Sequence, residues 1–315
     1  MRALLATLAT LAMLAASGGA GSAAASEAAL SGSLTSVGSD TASALLARWA
    51  GAFHARHPGV HVQIQAQGSG SAPLALIEGA ADIGSMSRPM NAAEQARFAA
   101  RYGYAPTRLV VAHDAIAVFV HPDNPLARIT LAQLDAIFSR TRRCGAPRAI
   151  RRWSDLGALP GARLADSALL ATGRDSSSGT YEMFREAALC GGEYRAEVIA
   201  WPGNGAIVAT VAGNREAIGY AGVGYVNGLV KPLALAKDDG DAGSRPDLDS
   251  VTQGRYALSR ALYVYVNRPP RRALGALPRA FLAYALSDEG QAQVRQEGFL
   301  PLNPDERATQ RAVLE

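Results

Sequence analysis

The chain has 315 residues, 49% of them hydrophobic, and a formal charge of +4 at pH 7. That length accommodates two domains or one large one, and that apolar content excludes wholesale disorder. The charge is too mild to support a nucleic-acid partner, and the cations are nearly all arginine, with Lys231 and Lys237 the two lysines, so a single arginine says little by itself.

Residues 1–25 read differently from the rest. Arg2 is followed by an uncharged apolar run over 3–16, and small residues then lead to Ala23-Ala24-Ala25. This pattern predicts a secretory signal cleaved near Ala25, with no cysteine beside the site to carry a lipid. Loss of Arg2 leaves a mature charge of +3. No later run reaches the about 18 apolar residues that a spanning helix needs. Cys144 and Cys190 form an even pair in an exported chain, which suggests a disulfide; two buried thiols are the alternative. A bridge would contribute roughly 4 kcal/mol in the chain-entropy view.

In chain order, 34–37 is a predicted strand, Gly38-Ser39-Asp40-Thr41 a turn, and 44–53 an apolar helical pattern ending near Pro58-Gly59. Residues 60–65 alternate as a half-buried strand. Gly68-Ser69-Gly70-Ser71 is the next turn, before a helix over 73–77. Residues 81–84 are a short strand, followed by Ser85, Ser87 and Arg88. Three strand ends therefore carry serine-rich turns. Strands alternating with helices imply a mostly parallel sheet, whose ligands bind beyond the carboxyl ends of the strands. Residues 109–112 and 115–120 are extended and long enough to cross between domains. Thr130 is a candidate cap for a helix over 131–138. The segment 140–152 has six arginines and no acid and reads as a solvated loop. Residues 206–212 look helical, 217–221 form a strand, 237–249 an exposed loop, and 260–267 a strong return strand. The remaining helices are expected over 274–286 and 291–298.

The densest run of polar donors is Gly-Arg-Asp-Ser-Ser-Ser-Gly-Thr over 173–180, just before a helical pattern of Tyr181, Phe184 and Ala188. Ser178 or Thr180 can cap that helix. A helix N-terminus presents orphan N–H groups and partial positive charge, and Arg174 adds a planar fork of donors, so the stretch is suited to an oxyanion. An ordinary capped helix after a serine-rich turn is the alternative.

Taken in order, Gly-Ser-x-Thr at 38–41, Gly-Ser-Gly-Ser at 68–71, Ala-Asp-Ile-Gly at 81–84 with Ser87 and Arg88, Arg-x-x-x-Ser-Gly-Thr at 174–180, Ile-Gly-Tyr at 218–220 and Leu-Ser-Arg-x-Leu-Tyr-x-Tyr-Val-Asn at 258–267 resemble the phosphate-binding proteins of bacterial ABC phosphate importers. The resemblance covers nearly the whole mature chain. It implies a two-lobed α/β fold of the periplasmic binding protein type (type II), each lobe a mostly parallel sheet flanked by helices, joined by two crossing segments. One lobe would be 26–112 plus 262–315 and the other 113–261. It also implies a periplasmic, monomeric protein that holds inorganic phosphate between the lobes, without a cofactor, and hands it to importer membrane subunits.

Carried over by position, the anion contacts implied are Ser39, Asp40 and Thr41, then Ser69 with Ser71, then Ser87 and Arg88, and from the second lobe Arg174, Ser178, Gly179 and Thr180. Two positions depart from the family pattern. Asp40 stands where a hydroxyl residue is usual, and Arg88 stands where some members have an acid that accepts the ligand's proton. Such an acid rejects sulfate, which has no proton to give. We expect Asp40 to take that role with Arg88 balancing its charge, or else to be a plain helix cap. A hydrolase is not expected: there is no Gly-x-Ser-x-Gly elbow, and His54, His57, His61, His113 and His121 lie outside the hydroxyl-rich turns. Another tetrahedral oxyanion, or a signalling role for the same fold, would use similar donors.

Overall fold

A computed structural model describes residues 30–157 and 162–315; the expected export signal at 1–25 lies outside the described residues. Strands β1 (Gly32–Gly38), β2 (Val60–Gln65) and β3 (Ile83–Met86) pair in parallel in the order β2-β1-β3. The third begins two residues later than expected. Ala80 and Ala81 still donate to Ala75 O to finish the preceding helix, and Asp82 exchanges hydrogen bonds with Thr35 before pairing starts.

The two extended segments at 109–112 and 115–120 are one continuous strand, β4 (Thr107–Val120). The other strands are β5 (Arg128–Thr130), β6 (Leu170–Arg174), β7 (Ile199–Trp201), β8 (Ala217–Gly222), β9 (Lys231–Pro232), β10 (Ala234–Ala236) and β11 (Ser259–Val266). The main sheet runs β2-β1-β3-β11-β4-β8-β6-β7. It is two parallel trios joined by an antiparallel centre. β4 pairs with β11 through Ala115 and with β8 from Ile116 onward. That change of partner within one strand explains its apolar character: most of its residues are covered on both faces.

Each trio packs its own core. Trp49, Phe53, Phe281 and Leu282 lie behind β1 and β4, with Trp49 Nε1 donating to Gly290 O. The C-terminal segment completes this core through Val294, Phe299, Leu302 and Leu314. Trp153, Phe138, Phe184 and Tyr220 fill the second core, where Phe184 and Tyr220 stack at 3.8 Å. Fully burying side chains of this size contributes about 1.5–3 kcal/mol each.

Helices Ala92–Tyr102 and Pro304–Ala312 escaped the apolar periodicity, as did the short Ala162–Ala165 and Leu248–Thr252, the last starting inside the expected loop at 237–249. Ala92–Tyr102 buries Phe98 and Pro304–Ala312 has no buried residue, so few apolar positions of either enter a core. What marks these two instead is a reciprocal cap, Asn91 with Glu94 and Asn303 with Glu306. The arginine-rich segment is indeed a loop, and its charges are met locally: Arg140 pairs with Glu193 and Arg151 with Glu197. Cys144 and Cys190 are joined in a disulfide with Cα atoms 5.4 Å apart, 46 residues apart in the chain, tying this loop to the end of helix Gly179–Ala188. Replacing both cysteines by serine should lower the melting temperature by several degrees while leaving anion affinity unchanged, because the bond acts mainly on the unfolded chain. Calorimetric melting beside a binding titration checks both halves of that expectation.

Candidate functional site

The turns after β1, β2 and β3 leave the sheet side by side and meet the N-terminus of helix Gly179–Ala188 from the other half of the molecule. Ser178 is the N-cap of this helix, its Oγ accepting from Thr180 N at 3.1 Å. Thr180 Oγ1 shares a 3.0 Å hydrogen bond with Thr41 Oγ1 across the two halves. Ser69 Oγ lies 3.2 Å from Ser87 Oγ and accepts from Ser87 N. Gly70 N donates to Ser177 O at 3.0 Å. Thr41, Ser69, Ser87, Ser178 and Thr180 are all buried, so these hydroxyls meet away from bulk water.

Gly179 sits at a close approach of the two halves. A Cβ there would lie 2.5 Å from Ser69 Oγ and 2.7 Å from Ser87 Oγ, so the approach requires glycine. Gly173 is needed for a related reason: a Cβ would lie 2.4 Å from the Tyr220 ring, whose hydroxyl receives Arg174 N at 3.3 Å. Burial pushes the Tyr220 hydroxyl well above its usual range, so it stays protonated, and it shares a 2.8 Å hydrogen bond with the Tyr194 hydroxyl.

Arg174 itself is almost wholly buried. Its Nη2 donates to Pro202 O at 2.7 Å, and its Nη1 lies 3.3 Å from Asp40 Oδ2 as an ion pair. Nε and Nη1 have no hydrogen-bond acceptor among the described residues. Burial lowers the guanidinium from its ordinary value and the Asp40 carboxylate opposes that. Arginine nonetheless remains charged at neutral pH. A buried cation with donors to spare is costly unless an acceptor arrives.

Asp40 is not a helix cap; the N-cap of helix Ser43–Arg56 is Ala42, and Ala42 N is met by Ser39 Oγ. Asp40 Oδ2 accepts from Asn204 N at 3.0 Å and Asn204 Nδ2 at 2.7 Å, besides facing Arg174. Oδ1 has no hydrogen-bond partner among the described residues. Tyr225 Oη donates to Asp40 O at 2.8 Å; burial pushes its pKa up to about 12, which keeps that proton in place.

One expectation needs correction. Arg88 does not balance Asp40, because Arg174 does. The Arg88 guanidinium instead makes a bidentate pair with Glu94, at 2.7 Å on each arm, donates to Pro89 O, and pairs through Nε with Glu182. Ser71 turns its hydroxyl to Gly68 O at 2.8 Å, while Ser39 fastens the β1 turn to Ser85 through its main-chain N and accepts from Ala42 N with its Oγ.

Sequence reasoning overlooked Asn204, Arg260 and Asp114. Fully buried Asn204 reaches Asp40 and Thr41 with its donors and accepts from Gly222 N. Arg260 on β11 donates to Thr180 Oγ1 at 2.8 Å and pairs with Asp114 on β4 at 2.6 Å, both side chains nearly inaccessible. The signal for Asn204 was available in Gly203-Asn204-Gly205 before an apolar run. Asp114 and Arg260 announce themselves only as charges inside two strands otherwise fit for burial.

The profile of the PBP superfamily domain matches residues 23–289. The chain belongs to the PBP superfamily. A phosphate-binding protein PstS of Pseudomonas aeruginosa is 46% identical over 275 residues, covering 87% of this chain and 84% of that one. Protein SphX of Synechococcus elongatus is 30% identical over 274 residues, covering 85% and 77%. Among solved structures, a substrate-binding protein from Clostridium perfringens assigned to a phosphate ABC transporter, with phosphate bound, superposes with a TM-score of 0.73 at 25% identity, over 86% of this chain and all of the other. An ABC-type phosphate transport receptor from Vibrio cholerae shares the fold, with a TM-score of 0.64 at 21% identity over 86% of this chain and 100% of its own. These PstS-type relatives place the chain with the binding proteins of the superfamily.

Proposed function

We propose that this chain is a periplasmic phosphate receptor. It closes two lobes, 26–112 with 262–315 and 113–261, on one inorganic phosphate and passes it to the membrane subunits of an ABC importer. It acts as a monomer, by binding rather than catalysis. The observation that carries this reading is Arg174, a buried guanidinium with unspent donors beside the N-terminus of helix Gly179–Ala188. The PstS name and the bound phosphate of its relatives point to the same anion. Ser69, Ser87, Thr41, Ser178, Gly179 and Thr180 supply the remaining hydroxyl and main-chain groups around it. A micromolar ligand needs about −8 kcal/mol, and charge-assisted hydrogen bonds contribute roughly 1.5–3 kcal/mol each, so the donors suffice after desolvation and closure are met.

Calorimetry on ligand-stripped protein with phosphate, sulfate and molybdate tests the reading. Phosphate is expected to bind at micromolar concentration or below, and the other two at least tenfold more weakly. Equal binding of all three would leave a general oxyanion receptor. In this reading Asp40 Oδ1 accepts the proton of hydrogen phosphate while Asn204 holds the other oxygen. Asp40→Asn should therefore weaken phosphate and narrow its margin over sulfate by about tenfold, since sulfate no longer meets a carboxylate. Unaltered selectivity in the same titrations would remove Asp40 from this role.

A further inference from the structure

The Arg88 cluster is a bond between the halves of the molecule that is separate from the anion contacts. Arg88 follows β3, and its side chain is 5% exposed. Glu94 alone balances its charge, through two parallel hydrogen bonds to Nη1 and Nη2, and Glu94 is itself held by Asn91 N at 2.8 Å. The third group, Glu182, comes from the first turn of helix Gly179–Ala188 on the opposite half. Its carboxylate is thus not needed to neutralise Arg88. What it adds is a charge-assisted link that exists only while the halves are together.

We propose that Glu182 is a positioning residue that latches the closed cleft through Arg88 and sets how fast the bound anion leaves. The proposal rests on the reading of the cleft as an anion site. Opening must separate helix Gly179–Ala188 from the β3 turn, so this link is lost before the ligand escapes, and its strength enters the dissociation rate. The position of Glu182 makes the idea hard to mimic. It is a negative charge one helical turn from a site that binds an anion. Were proximity its sole effect, removing the charge would tighten binding. The latch demands the opposite sign. Burial pushes the Glu182 carboxyl up while Arg88 pulls it down, as befits a group held at a partly closed boundary.

The test is stopped-flow dissociation of phosphate from wild type, Glu182→Gln and Glu182→Asp. Asp keeps the charge but is one methylene too short to span the gap. Both variants should release phosphate about fivefold faster with association rates little changed, a modest figure because Glu182 is 36% exposed. In an Arg88→Gln background Glu182→Gln should have no further accelerating effect. Slower or unchanged release from Glu182→Gln would overturn the latch, as would wild-type behaviour from Glu182→Asp.

A ligand-independent arm separates this from the phosphate reading. Spin labels at Leu74→Cys and Leu229→Cys, both highly exposed and in different halves, report the interlobe distance. Glu182→Gln should shift the distribution toward longer distances. If wild type proves not to bind phosphate, the function reading fails while this shift still decides the latch; an identical distribution sinks it.

Discussion

Arg174→Ala is expected to lower phosphate affinity by at least a hundredfold. The substitution removes the buried charge and the two nitrogens, Nε and Nη1, that have no hydrogen-bond acceptor among the described residues. Two charge-assisted hydrogen bonds at roughly 1.5–3 kcal/mol each correspond to about 3–6 kcal/mol, which is two to four orders of magnitude. A second effect has the same sign: the Asp40 carboxylate, 3.3 Å from Nη1, would then face the incoming anion with its counter-charge gone. Arg174→Lys restores the charge without the fork and should fall between wild type and alanine. In Arg174→Ala/Asp40→Asn part of the loss should return, because the repulsion is relieved. Calorimetry resolves all four proteins. An Arg174→Ala titration indistinguishable from wild type would place the anion elsewhere.

Gly179→Ala should give a comparable loss by a different route. The residue has an ordinary helical backbone with no positive φ, and alanine is the better helix former by about 1 kcal/mol, so the isolated half should be no less stable. The added methyl, however, would sit 2.5 Å from Ser69 Oγ and 2.7 Å from Ser87 Oγ, with Ser69 Cβ at 3.0 Å behind them. The two halves could not close to their present separation, and the donors of one half would be held off the ligand gripped by the other. Loss of two such contacts corresponds to about a hundredfold in affinity. The expected signature is a melting temperature without ligand at or above that of wild type, with a much weaker phosphate isotherm. Wild-type affinity would mean that the closed approach of Gly179 is not used in binding.

Both predictions join a local feature visible in the chain to a contact that is not. The cap at Ser178, the glycine after it and the arginine four residues before it can all be read from one octapeptide, because helix entry is governed by residues close in sequence. The strands at 60–65 and 217–221 were equally legible, since alternation and short apolar runs record which faces are covered. The order of the motifs along the chain was enough to reveal the family. The assignment of Arg88 was not readable in this way. Arg88 and Arg174 are both arginines beside serine-rich turns, and nothing local distinguishes one that meets Glu94 and Glu182 from one left with open donors.

The sequence alone determined the alternation of strands and helices, the serine-rich turns at three strand ends, the capped helix at Ser178, and a pair of cysteines free to join. These follow from backbone propensity, capping and apolar period, which act over a few residues. Only the tertiary structure decided that Asp40 is held by Asn204 and Arg174, that Arg260 and Asp114 brace Thr180 from the crossing strands, and that Arg88 reaches across to Glu182. The physical reason is that a charge placed in a closed interior must find its partner in three dimensions, and those partners here lie 146 residues apart in the chain for Asp114 and Arg260 and farther still, 164 residues, for Asp40 and Asn204.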